Sequence, residues 1–86
     1  MIIRIGLIQM RCEKSAINEN LTTMNHFLNE AAARQIDIIG FPEMSITGYA
    51  DPNRYPDAKL RLDGPEIERL LEMSLSFPGT ILAGII

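Results

Sequence analysis

Ile36-Asp37-Ile38-Ile39-Gly40-Phe41-Pro42-Glu43-Met44-Ser45-Ile46-Thr47-Gly48-Tyr49 decides the fold of this chain. Its apolar start predicts a short buried strand over 36–41. Pro42 cannot donate to a ladder and holds Phe41 extended, so the strand stops there. A carboxylate, Glu43, follows at once. In open parallel α/β sheets ligands bind beyond the carboxyl ends of strands, where the connections diverge. A glutamate at that place, behind a proline that stiffens the turn, can reach a reacting group.

The pattern extends in both directions. Upstream, Ile2, Ile3, Ile5, Leu7 and Ile8 form a near-continuous apolar run, and 2–9 is expected as a strand of the kind covered on both faces. Residues 10–16 are polar and break it. Ile17, Leu21, Met24, Leu28 and Ala31 then recur at spacings of four and three, which predicts a helix over 17–34. Ser15 or Asn18 can cap it, and Ala31-Ala32-Ala33 favours it. Downstream, 44–62 is loop-like, punctuated by Gly48, Pro52 and Pro56, with room for a short helical turn. A second helix is expected over 65–76, with Asp63 as cap, Pro65 near its first position and Glu66 in its first turn. Ile67, Leu70, Leu71 and Leu75 form its expected buried face, and Phe77-Pro78-Gly79 ends it. Residues 80–86 give a third strand that stays apolar to Ile86. The order β-α-β-loop-α-β predicts an α/β fold with a mainly parallel sheet and right-handed crossovers.

Composition narrows the function classes. The chain has 86 residues, 47% of them hydrophobic, with 8 basic and 11 acidic side chains and a net charge of −3. It contains no basic stripe, so nucleic acid is not an expected partner. No apolar run approaches the roughly 20 residues of a membrane span, and the start is too short an apolar run for a signal segment. One cysteine, Cys12, fits a reducing compartment, and a cytoplasmic location is expected. The single histidine, His26, makes no metal cluster with it. Glycine patterns for nucleotide binding are missing. No cofactor and no metal are expected.

Five residues are candidates for chemistry. Glu43 reads either as a general base partly shielded by Phe41 and Tyr49, or as a glutamate at the start of a helix. Phe41 and Tyr49 read as pocket walls, with ordinary packing as the competing account of Tyr49. Cys12, beside Arg11 and Lys14, reads as an unreactive thiol more readily than as a nucleophile. His26 reads as a surface histidine.

These residues also carry a resemblance. The chain resembles the amino-terminal part of the nitrilase (carbon–nitrogen hydrolase) superfamily. The resemblance rests on Arg4-Ile5-Gly6-Leu7-Ile8-Gln9-Met10, on Asn20-Leu21 and Glu30-Ala31-Ala32-Ala33 in the first helix, and on Asp37 through Tyr49. Asp63-Gly64-Pro65 and the strand Ile81-Leu82-Ala83-Gly84 complete it. It implies that 1–86 is an incomplete part of a single hydrolase domain, the β-α-β-α-β portion of an α-β-β-α sandwich. It further implies a Glu–Lys–Cys mechanism on a small-molecule amide or nitrile, with Glu43 as the general base. Cys12 does not match the nucleophile's motif, nor Lys14 or Lys59 the lysine's, so the chain alone is expected to be inactive. An apolar strand three with no partner is expected to draw it into a homo-oligomer. Gln35 stands where the family often has glycine, at a cost of roughly 1 kcal/mol if the backbone there is left-handed. The competing accounts are a non-catalytic binding or interaction module and an unrelated small doubly wound α/β domain.

Overall fold

The alternation of apolar strands with amphipathic stripes produces five elements: β1 (Ile5–Leu7), α1 (Ile17–Ala33), β2 (Ile38–Gly40), α2 (Pro65–Ser74) and β3 (Thr80–Leu82). This computed structural model describes residues 1–51, 53–56 and 60–84; the loop residue Pro52, Lys59 and the expected strand end Ile85-Ile86 lie outside the described residues. The three strands form one sheet in the order β1-β2-β3. Both pairings are parallel, with Gly6 opposite Ile39 and Ile39 opposite Ile81. The fold is α/β with a parallel sheet, as the element order predicts.

Every strand is shorter than its apolar run. The ladder can extend only where β2 offers backbone on both sides, and β2 is bounded by the end of α1 and by Pro42. Single hydrogen bonds continue it slightly. Asp37 N–H donates to the Arg4 carbonyl at 2.8 Å, and Phe41 N–H donates to that of Leu82 at 2.9 Å. Asp37 also accepts the Arg4 N–H through Oδ2 at 2.8 Å, which aligns the amino ends of β1 and β2. Ile2 and Ile3 lie beyond this pairing and are exposed.

The core lies between the helices and one sheet face. Leu21, Met24, Leu28 and Ala31 of α1 meet Ile39, Phe41, Ile67 and Phe77 there, with Ile8 and Ile81 packed alongside. The expected caps are absent. Ala16 occupies the N-cap of α1 without a side-chain bond. Ser15 is left-handed (φ 58°) and its N–H donates to the Thr47 carbonyl at 2.7 Å. Asn18 sits inside the helix and accepts from Arg69 at 3.2 Å. A missing cap costs about 1 kcal/mol, whereas each fully buried Leu or Met contributes about 1.5–3 kcal/mol. Packing therefore holds α1 in place.

The exit of α1 is specific. Gln35 N–H donates to the Ala32 carbonyl at 3.1 Å and Ile36 N–H to that of Ala31 at 3.0 Å, with Gln35 at φ 57°. This is the paired bonding of a Schellman ending, with glutamine at the position that favours glycine.

Gly64, not Asp63, is the N-cap of α2, and Pro65 opens the helix. The Asp63 carboxylate instead takes the Arg61 guanidinium at 2.9 Å, which holds its pKa below the usual carboxylate range. Ile67 is buried as expected, but Leu71 and Leu75 are exposed and Met73 is packed on the core instead. Among the described residues no strand lies outside β3 for Leu71 to meet. It borders an open hollow there with Leu70, Ser74, Gly79, Ile81 and Ala83.

The expectation of strands covered on both faces also needs correction. Both helices pack on the face of Gly6, Ile39 and Ile81, while Leu7 on the opposite face is 82% exposed and Ile5 and Leu82 lie open beside it. Among the described residues no helix is long and apolar enough to cross a membrane.

Candidate active site

Parallel pairing brings the carboxyl ends of all three strands to one edge of the sheet. Gln9-Met10, Phe41-Pro42-Glu43 and Ala83-Gly84 leave the sheet there. Glu43 lies three residues past the end of β2. A Cβ built on Gly84 would come within 3.2 Å of its Cγ, so the glutamate stem lies against the path leaving β3. No helix follows Glu43: residues 43–47 form a turn, which removes the helix-start reading of this residue.

That turn is held tightly. Gly48 N–H donates to the Met44 carbonyl at 2.7 Å, and Met44 N–H donates to that of Gly84 at 2.9 Å. Met44 is buried and left-handed, with φ 62°. Such a conformation costs a non-glycine residue about 1–3 kcal/mol and persists only where the surroundings enforce it. Gly48 has φ 68°, and a Cβ there would stand 2.8 Å from the carbonyl oxygens of both Cys12 and Glu13. The turn thus packs directly on the backbone that leaves β1, and only glycine allows that approach.

Polar groups complete the turn. The Asn20 amide of α1 donates to the Glu13 and Ile46 carbonyls, both at 2.9 Å, and accepts the Glu13 N–H at 3.2 Å. Ser45 Oγ donates to Met24 Sδ at 3.5 Å, and Thr47 Oγ1 donates to the Gly48 carbonyl at 3.0 Å. Among the described residues no buried side-chain nitrogen or oxygen lacks a partner. Each unpaired group would cost about 1–3 kcal/mol, so this polar packing is matched to one arrangement of the turn.

The sequence-expected site residues take different places. Glu43 is exposed, not shielded. Phe41 is buried in the core and also borders an apolar hollow of ≈ 540 Å³ at the strand ends, with Leu7, Met10, Pro42 and Leu82. Tyr49 is 66% exposed and does not line that hollow. Cys12 is partly buried, and its Sγ lies 3.6 Å from the Met10 carbonyl as a weak donor. Burial pushes its thiol pKa up, opposite to what a nucleophile requires. Arg11 pairs with Glu13 rather than with the thiol. His26 is a surface residue that faces Glu30 at 3.8 Å. Among the described residues no group of three His, Cys, Asp or Glu side chains could hold a metal ion.

Sequence reasoning passed over Asn20 and Met44. Asn20 did leave a signal, because it is the one polar residue at helical spacing from Met24 and Leu28 on the buried face. Met44 left none, since nothing in its side chain marks a left-handed backbone.

The sequence matches the family model described as Carbon-nitrogen hydrolase over residues 4–86. No curated protein matches it. The family match sets aside the reading of an unrelated α/β domain.

Proposed function

Because the chain belongs to the carbon–nitrogen hydrolase family, we propose that it forms the amino-terminal part of an amidase-type hydrolase and supplies Glu43 as the general base. The observation that carries this reading is the place of Glu43. It stands at the carboxyl edge of a parallel sheet, directly before a left-handed residue whose conformation the neighbouring segments enforce. Strain of this kind collects where a side chain must be aimed.

In the proposed mechanism the Glu43 carboxylate takes the proton of a cysteine thiol outside this chain. The thiolate attacks the carbon of the C–N group. A lysine, also outside the chain, donates to the developing oxyanion. The nitrogen leaves as the amine with the proton that Glu43 took from the thiol, and water, deprotonated in turn by Glu43, cleaves the thioester to the acid and restores the thiol. In this reading Cys12 is not that nucleophile, because it does not match the nucleophile's motif, and the burial that raises its thiol pKa supports this. By itself the chain would therefore be inactive. In the same reading the open sheet face of Ile5, Leu7 and Leu82 is where the rest of the sandwich packs, a homo-oligomer remains the proposed assembly, and the cytoplasm the proposed location.

The test is ammonia release by the full gene product from a panel of small aliphatic and aromatic amides and nitriles. Release that is abolished by thiol alkylation but kept in Cys12→Ala is expected. A full gene product that hydrolyses none of them, or loses activity in Cys12→Ala, contradicts the proposal.

A further inference from the structure

We infer that Asn20 is a positioning residue for Glu43, acting through the 44–48 turn. The inference rests on the reading of Glu43 as general base. Asn20 is 2% exposed, on a helix that otherwise buries apolar side chains. Its one amide is shared between two segments, Glu13 after β1 and Ile46 after β2. Ile46 lies inside the turn closed by Gly48 N–H on the Met44 carbonyl. Met44 is anchored on its other side by the Gly84 carbonyl. Glu43 therefore emerges from a turn fixed from two directions, by the path leaving β3 and by α1. Asn20 is the only side chain among the described residues that bonds to the Ile46 carbonyl.

The chemistry of the contact identifies the decisive substitution. Asn20→Asp keeps the volume and the acceptor for Glu13 N–H. It replaces the two N–H donors by an oxygen that faces the carbonyls of Glu13 and Ile46. Two acceptors then oppose each other, and the turn is pushed off α1. A side chain that only filled space would tolerate this exchange far better. Displacement of a catalytic group by about 1 Å can cost on the order of 10²-fold in rate. Substrate contacts made elsewhere would be preserved, so the loss falls on kcat rather than KM.

The experiment follows three signals in the full gene product: amide hydrogen exchange, the ¹³C resonance of the Glu43 carboxyl, and kcat with KM on a hydrolysed amide. In the wild type, the Met44 and Gly48 amides are expected to be as protected as those in the middle of α1. In Asn20→Asp, they should exchange at least about tenfold faster while Leu28 is unchanged. The Glu43 resonance should shift, and kcat should fall on the order of 10²-fold with KM within about twofold. Leu75→Ala, a change at an exposed position just past α2, should leave all three signals unmoved. Asn20→Ser serves if Asn20→Asp does not fold. Unprotected Met44 and Gly48 amides in the wild type would overturn the inference without any variant. Unchanged exchange, resonance and kcat in either Asn20 variant would also overturn it. Glu43→Gln, measured in parallel, separates the two failures. If Glu43→Gln is inactive and the Asn20 variants are not, Asn20 alone has lost its role. If Glu43→Gln keeps full turnover, the general-base reading falls and the positioning role falls with it.

Discussion

Gly48→Ala should be far more damaging than its single methyl group suggests. The backbone there has φ 68°, and the added Cβ would lie 2.8 Å from two carbonyl oxygens, those of Cys12 and Glu13. The left-handed conformation costs an L-residue about 1–2 kcal/mol. Overpacking against atoms that cannot rotate away adds about 1–3 kcal/mol. The stiffer unfolded chain of the alanine variant returns about 0.4–1 kcal/mol. A net loss of about 1–4.5 kcal/mol is expected, concentrated on the turn that carries Glu43. Gly40→Ala is the control. Gly40 is in β2 at negative φ, and its nearest neighbour would be the flexible end of Leu7 at 3.4 Å. Urea unfolding of the full gene product, read as the change in midpoint at constant slope, measures both. If Gly48→Ala costs no more than Gly40→Ala, the close approach of the turn to the 12–13 backbone is wrong, and so is the account of how Glu43 is held.

Three further outcomes follow from the structure. Gln35→Gly should stabilise by about 0.5–1 kcal/mol, since relief of a left-handed glutamine exceeds the entropy gained by the unfolded chain; an unchanged or lower urea midpoint would count against the Schellman ending. Cys12 should react slowly with iodoacetamide at neutral pH. Burial raises its folded pKa above its ordinary value of 9.0, so the stabilising contribution is present below that value and is lost as pH rises through the folded one. Fast labelling of the native protein at pH 7 would contradict this. The isolated 86-residue chain should associate or fold poorly, because Leu7, Ile5 and Leu82 leave an apolar sheet face open. A compact monomer in analytical ultracentrifugation that melts cooperatively would refute it.

Much of this architecture is legible in the residues, and the illegible parts have identifiable causes. The stripe Leu21, Met24, Leu28 and Ala31 gives α1 because a 3.6-residue period has one reading over so many turns. Parallel strands follow from alternation with helices. The apolar runs exceed the strands, since an apolar run reports burial while a ladder also needs a partner, and the β1–β2 pairing begins only at Ile5. Ser15 and Asp63 do not cap because Ser15 is held left-handed by its backbone N–H on the distant Thr47 carbonyl, while the Asp63 carboxylate is taken by the Arg61 guanidinium. Leu71 and Leu75 satisfy helical spacing, but β3 is the edge of the sheet and, among the described residues, no further strand covers that flank. At the site, Pro42 marks the position of Glu43 in the sequence. Asn20 is marked by its place on the buried stripe of α1, but its partners, the exposure of Glu43 and Tyr49 and the left-handed Met44 depend on long-range contacts that no local pattern encodes.

The central claim is that Glu43 moves the proton of a thiol nucleophile. Its most direct test is kcat of Glu43→Gln in the full gene product, with folding checked by its urea midpoint. Glutamine keeps the size of the side chain and removes its basicity. General-base catalysis is worth about 10²–10⁴-fold, so a loss of at least that size with an unchanged midpoint is predicted. A variant that folds normally and retains most of the wild-type kcat would contradict the account.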